Sequence, residues 1–130
     1  MLIFGHRFIQ SSRFYHIFDI DMITKTPPSS QIYLKFSEEN LDIIDYMQLN
    51  HISFALFVST ITELIYASSL GASYIIVDKE NAKTAQNIAE TYLFDAKILV
   101  LIQSESEIQE IALLGIDGVI FPEAIIKVSS

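Results

Sequence analysis

The sequence predicts an α/β fold built on a mostly parallel five-stranded sheet with helices on both faces, preceded by an N-terminal β-hairpin. Apolar runs with the length of strands recur at near-equal spacing along most of the chain. The stretches between them carry apolar residues at helical spacing. The middle runs, at 74–77 and 98–101, are apolar without alternation, which is typical of strands covered on both faces.

The repeating part of the chain contains five strand candidates, at 31–36, 52–58, 73–77, 97–102 and 118–121. Capping side chains precede four helical stretches between them: Ser37, Thr60, Asn81 and Ser104. Glycine ends two of these helices, at Gly71 and Gly115. Strands that alternate with helices form a parallel sheet, and no helix signal follows the last strand.

The chain is predicted to be one domain, residues 1–130, since its length suits a single core. Residues 1–22 form the hairpin, 23–30 a Pro/Ser linker, 31–124 the βα repeats and 125–130 a tail. With the hairpin tip at 10–12, the even-numbered side chains share one apolar face. That face carries four phenylalanines and a facing histidine pair: Phe4, Phe8, Phe14, Phe18, His6 and His16.

A doubly wound sheet without its last helix leaves part of one face uncovered. The candidates for covering it are the phenylalanine face of the hairpin, the residues at 124–126, and a second subunit. Because large exposed apolar patches usually mark interfaces, the sequence favours a homodimer in which the hairpin packs on its partner.

Composition excludes several functions. Sixteen acidic residues against eight basic ones give a net charge of −8, and no cluster of cations is present to displace phosphate counterions. Nucleic acid and anionic membranes are therefore not expected as partners. The absence of cysteine excludes disulfides and thiolate sites and fits a cytoplasmic protein. The most apolar stretch, 52–77, is broken by polar residues and is interpreted as a strand–helix–strand unit rather than a membrane span.

The stretch from Ile98 to Pro122 resembles the end of a response-regulator receiver domain, and the resemblance extends back to the strand and aspartate at 74–78. In its order of strands and helices it covers most of the βα repeats. Asp78 follows an apolar strand, where a receiver accepts phosphate. A Gly-x-Asp turn, Gly115-Ile116-Asp117, precedes the last strand, which leads to Phe121-Pro122. The resemblance implies a flavodoxin-like strand order of 2-1-3-4-5. The acidic pair of a receiver is displaced here to Glu38 and Glu39, and Phe121 stands in place of its lysine. The resemblance therefore concerns the fold more than the chemistry.

The turn Leu114-Gly115-Ile116-Asp117-Gly118 is also similar to turns in (β/α)₈ barrels, including glycerophosphodiesterase-like ones. Such a barrel closes with eight strands. Four or five βα units are expected to be too few to form it.

Candidate ligand-binding residues lie where strands end, because ligands of open α/β sheets bind at the carboxyl ends. Asp78 and Glu38 supply oxygen ligands for a divalent cation, or alternatively belong to a turn and a helix start. Ser59, Thr60 and Ser104 precede helices, where they either help bind a phosphate or only cap the helix. No glycine-rich phosphate loop and no nucleophile–base motif is present, so no catalytic residue, metal or cofactor is assigned.

The sequence does not specify a biochemical function. A non-enzymatic regulatory or protein-interaction domain that self-associates is favoured, because no catalytic set of residues is found. The alternative is a small enzyme or phosphate-ligand binder that uses the crevice around Asp78. A phosphoaccepting receiver is a further alternative.

Overall fold

A computed structural model describes residues 1–128 and contains eight strands and four α-helices within them. The strands are β1 (Leu2–Phe4), β2 (Phe14–His16), β3 (Gln31–Lys35), β4 (Phe54–Phe57), β5 (Tyr74–Val77), β6 (Lys97–Leu101), β7 (Gly118–Ile120) and β8 (Ile125–Lys127). The helices are α1 (Leu41–Leu49), α2 (Ile61–Ser69), α3 (Ala82–Thr91) and α4 (Ile108–Leu113). Among the described residues, no helix has the length and apolar character needed to cross a membrane.

All eight strands belong to one sheet, and every neighbouring pair is parallel. The order is β1-β7-β6-β5-β4-β3-β2-β8. The predicted α/β class and parallel sheet are thus confirmed, whereas the predicted number of five strands is wrong. The order 2-1-3-4-5 is also not found, because successive βα units from β3 to β7 place each new strand on the same side of the last.

The N-terminal hairpin is a wrong prediction, since β1 and β2 do not pair with each other. Leu2 of β1 lies opposite Gly118 of β7, while β2 lies between β3 and β8. The alternating pattern placed Phe4 and Phe14 on the buried face but carried no information about the partner of either strand. His6 consequently does not face His16, and its Nε2 atom lies 2.7 Å from a carboxylate oxygen of Glu105.

The sheet separates two groups of buried side chains. One group contains the buried residues of all four α-helices together with one face of the strands. The other contains residues from the strands and the β7–β8 turn and none from a helix: Phe4, Phe14, Tyr33, Ala55, Ile76, Leu99, Ile120 and Ala124. The helices therefore cover one face of the sheet, and the prediction of helices on both faces is wrong.

The second face is buried because the sheet closes on itself. β1 and β2 are six steps apart in the hydrogen-bonded order, which in a flat sheet would separate them by about 29 Å. The rings of Phe4 on β1 and Phe14 on β2 nevertheless lie 5.0 Å apart, and both lie 5.5 Å from the ring of Tyr74 on β5. The sheet is thus a barrel with one seam, between β1 and β8, which are not hydrogen-bonded to each other in the described pairing.

The βα repeats alone do not close the barrel. Four βα units and the following strand β7 supply five strands, and three short strands, β1, β2 and β8, complete the eight. The connections of these three strands contain no α-helix. The predicted tail contains β8, and residues 129–130 of it lie outside the described residues. The predicted linker at 23–30 begins inside a 3₁₀ turn, Ile20–Lys25, which Asp19 caps by accepting a hydrogen bond from the Met22 amide at 3.0 Å.

The uncovered face of the predicted sheet is thus covered within the same chain. Phe4 and Phe14 fill the barrel, together with Ala124 and Ile125 from the segment 124–126 that was a candidate for covering this face. The other two phenylalanines of the predicted face remain exposed, Phe8 by 73% and Phe18 by 56%. Self-association stays a prediction. Most of the apolar face from which it was inferred is buried inside the same chain.

Leu93, directly after the C-cap of α3, provides a prediction about stability. Its backbone has φ +53°, in the left-handed region, whereas glycine occupies the equivalent positions after α2 and α4. Because its side chain is 85% exposed, little packing is lost on truncation. We expect Leu93→Gly to raise the free energy of unfolding by about 0.5–1 kcal/mol in urea denaturation. Leu93→Ala is the control, because it removes the side chain but keeps the strain, and an equal gain in that variant would contradict the explanation.

Candidate functional site

The two ends of the barrel differ in how they are closed. At the amino end of the strands, the Ser53 hydroxyl lies 2.5 Å from the side-chain oxygen of Gln31 and 2.8 Å from the hydroxyl of Ser73. These polar groups satisfy one another. The carboxyl end, where ligands of parallel barrels bind, instead presents charged and aromatic side chains.

At the carboxyl end of the barrel, the chain continues past the inward-facing core residue of several strands. The side chain two positions further along the chain also faces inward. Side chains at i and i+2 lie on the same face of a strand, so these residues extend the inward rows toward solvent. We call this set the barrel mouth: His16, Lys35, Phe57, Asp78, Leu101 and Lys127. Two lysines and one aspartate make its formal charge positive in a chain whose net charge is −8.

His16 lies at the centre of one row of the barrel mouth. It is the register partner of Lys127 on β8 and of Tyr33 on β3. Its ring lies 4.9 Å from the Tyr33 ring, nearly perpendicular to it, and 4.5 Å from the exposed ring of Phe18. The imidazole is therefore held between aromatic rings and beside an ammonium group.

This environment changes the proton affinities of His16 and Tyr33. Burial lowers the pKa of His16 below its usual value, and the charges of Lys127 and Lys35 lower it further. Burial, followed by the negative charge of Asp78, raises the pKa of Tyr33 to about 12. At neutral pH the imidazole of His16 and the phenol of the neighbouring Tyr33 are thus both uncharged.

Asp78 extends the inward row of β5. Its backbone stays extended (φ −76°, ψ 158°), and its carboxylate does not cap the 3₁₀ turn that follows, Lys79–Asn81. The neighbouring Lys79 is paired with Glu110 at 2.8 Å and lies 3.8 Å from Glu107, whereas Asp78 makes no ion pair within residues 1–128. Asp78 also lines an open cavity of about 630 Å³ together with Leu101 and Gln103.

The other candidate residues take part in helix capping, Thr60 and Ser104 through their hydroxyls and Ser59 through its backbone amide. Thr60 accepts a hydrogen bond from the Glu63 amide at 3.1 Å, and the Ser59 amide donates to the Glu63 carboxylate at 2.9 Å. Ser104 forms a capping box with Glu107. The capping alternative of the sequence analysis therefore accounts for these residues, and a phosphate at them stays a prediction.

The structure does not connect Glu38 to Asp78. Glu38 begins a 3₁₀ turn that is capped by Ser37, and within the described residues no hydrogen bond or ion pair links it to Asp78. Across residues 1–128, no group of three or more histidine, aspartate or glutamate side chains is arranged to hold a metal ion. The predicted site residue that lies in the barrel mouth is therefore Asp78.

Asp78 is the one residue of the barrel mouth that the sequence predicted as a site residue. The basic side chains that it did not predict are His16, Lys35 and Lys127. Lys35 had a usable signal, since Gln31, Tyr33 and Lys35 alternate with apolar residues along β3. For His16 and Lys127 the strands are only three residues long, too short for alternation to show which face turns inward.

The protein is a small parallel α/β barrel whose β1 and β8 edges are not hydrogen-bonded to each other in the part of the chain that the structure describes. The inward side chains at the carboxyl end of its strands carry a net positive formal charge. No protein-family model and no curated protein matches the chain.

Proposed function

We propose that the chain is a non-enzymatic regulatory domain whose barrel mouth binds a small compound through an anionic group, a carboxylate or a phosphate. The observation that supports this most directly is the position of Lys35 and Lys127. Both lie on inward rows at the carboxyl end, and within residues 1–128 neither forms an ion pair. The charges of both lysines act on His16, and an anion is the ligand that two ammonium groups beside one imidazole favour.

The surroundings of the two lysines suit a ligand better than a structural ion pair. Asp78, the acidic member of the mouth, is not bonded to either lysine, so the positive charge is not neutralised there. His16, uncharged at neutral pH, adds a ring nitrogen that can donate or accept a hydrogen bond. The exposed ring of Phe18 beside it offers apolar contact.

Binding without chemistry is proposed because no nucleophile is paired with a base in the mouth. Within the described residues, the hydrogen bonds of side-chain hydroxyl groups run to other partners, and none joins one to the side chain of His16 or Asp78. A catalytic pair requires such a contact or a close approach to one. Occupancy of the mouth, rather than turnover, is then the signal that the domain transmits.

The test is a titration with sulfate at low ionic strength, followed by amide NMR. We expect shifts in the amides around His16, Lys35 and Lys127, and we expect Lys35→Gln and Lys127→Gln each to weaken binding at least about tenfold. Lys83→Gln is the matched control, because it removes the same charge from an exposed position on α3. If all three variants lost the same amount of sulfate affinity, the cause would be the change in net charge, and the proposal would be overturned.

The pH dependence of sulfate binding tests the role of His16. The pKa of His16 is lowered in the folded protein, and an adjacent anion favours the imidazolium, so binding takes up a proton. Affinity is expected to rise as the pH falls from about 7.5 to about 5.5, a range in which sulfate itself does not titrate. His16→Gln should abolish this rise, whereas His51→Gln, at an exposed position, should keep it.

A further inference from the structure

A second cavity, of about 500 Å³, lies beside the barrel seam and has no lining residue in common with the barrel mouth. One wall is the segment between β1 and β2, and the other is formed by Glu123 and Ala124, before β8. The two walls are in close contact, because a Cβ atom on Gly5 would lie 2.9 Å from the Ala124 backbone nitrogen. The close approach of Gly5 and Ala124 therefore both fixes the two walls of the cavity and joins the segments next to β1 and β8.

Both arginines of the chain, Arg7 and Arg13, line this cavity. Within residues 1–128 neither guanidinium makes an ion pair, so both stay available to an anion in the cavity. Arg7 lies over the Phe8 ring at 4.6 Å, a contact that orients the planar group.

The remaining polar groups of the cavity are mostly neutral. Ser11, Ser12 and Gln10 add hydroxyl and amide groups, and the Ser11 hydroxyl already accepts a hydrogen bond from the Gly5 amide at 3.2 Å. Its own proton remains available for a second partner. Glu123 is the carboxylate among the lining residues, which leaves the two arginines in excess.

Glu105 is the other acidic group near Arg7. Its pKa is lowered first by the hydrogen bond from His6 and only lastly by the charge of Arg7. The Glu105 carboxylate is thus engaged by His6, at 2.7 Å, and it is not one of the lining residues of the cavity. The arginines therefore keep their capacity for another anion.

We propose that this cavity binds the phosphate group of a small phosphate monoester. Two guanidinium groups present planar, paired donors that match phosphate oxygens, and serine hydroxyls supply donors in other directions. A tetrahedral dianion uses more of these donors than a single carboxylate does. The cavity volume leaves room for the remainder of a small organic molecule.

The experiment is a titration of the full chain with inorganic phosphate and with methyl phosphate, followed by amide NMR. We expect shifts across residues 5–13, and we expect Arg7→Gln and Arg13→Gln each to weaken binding at this site at least about tenfold. Lys25→Gln, which removes a charge from an exposed lysine on a different segment, is expected to leave it unchanged. Phosphate titrations that leave residues 5–13 unshifted would overturn the proposal.

Two further variants keep the test decisive if an arginine variant fails to fold. Glu123→Gln removes the opposing carboxylate and is expected to tighten phosphate binding severalfold, whereas weaker or unchanged binding would contradict the proposal. Lys35→Gln should weaken binding at the barrel mouth and leave the residues 5–13 response intact. Failure at the mouth and failure at the arginine cavity are therefore distinguishable in one set of spectra.

Discussion

Replacing Phe14 by alanine is expected to lower the free energy of unfolding by about 3–5 kcal/mol. The side chain is fully buried and lies between β1 and β5, with its ring 5.0 Å from Phe4 and 5.5 Å from Tyr74. Its removal leaves a cavity where the two edges of the sheet meet, and neighbouring backbone held in parallel strands cannot collapse into the space. Urea denaturation followed by far-UV circular dichroism measures the change.

Phe8→Ala is the matched control for this prediction. Phe8 belongs to the same sequence pattern, but it is largely exposed, so its truncation should change the free energy of unfolding by no more than about 0.5 kcal/mol. Phe14→Leu, which keeps most of the volume, should fall between the two and reports on the site if the alanine variant does not fold. Similar losses for Phe8→Ala and Phe14→Ala would contradict closure of the barrel around Phe14.

The second large effect is expected at Gly118, the first residue of β7. A Cβ atom there would lie 2.7 Å from both the Cβ and the backbone oxygen of Leu2, and 2.8 Å from a methyl group of Leu99. A backbone oxygen in a strand cannot move aside as a side chain can. We expect Gly118→Ala to cost about 2–3 kcal/mol and to displace β1 from the barrel.

Hydrogen exchange distinguishes this displacement from general destabilisation. The Leu2 amide donates to the Asp117 carbonyl at 2.9 Å and should lose protection in Gly118→Ala, while amides of β5 keep it. Gly115→Ala is the comparison, because a Cβ atom there meets nothing within 4 Å and only its left-handed backbone (φ +74°) is strained. A loss at Gly118 no larger than that at Gly115 would show that β1 tolerates the extra atom.

Phe14 and Gly118 act through contacts between distant strands, whereas the helices of the βα units are specified by neighbouring residues. The βα units were predictable because their signals are short-range. Thr60 and Ser104 cap helices through the glutamates three residues later, and Gly71 and Gly115 adopt the left-handed conformation that ends a helix. Each signal involves residues within one turn of each other, so no knowledge of the rest of the fold is needed.

The pairing of β1, β2 and β8 was not predictable in this way. These strands are three residues long, and their alternating pattern is compatible with a hairpin, an edge strand or a tail. Their partners lie far away along the chain, as when β1 pairs with β7. Only the closed barrel, which buries Phe4 against Phe14, makes one arrangement better than the others.

The residues of the candidate site also differ in whether local sequence could reveal them. Asp78 was identifiable because it directly follows a long apolar strand, and parallel strands direct their carboxyl ends to one edge. Lys35, Lys127 and His16 come together only when β8 is placed beside β2 and the sheet curls, which turns their strand faces inward. The sequence by itself thus determined the α/β class, the helices and one residue of the mouth. The tertiary structure decided the barrel and the charge of its opening, because closure depends on long-range packing that no local pattern encodes.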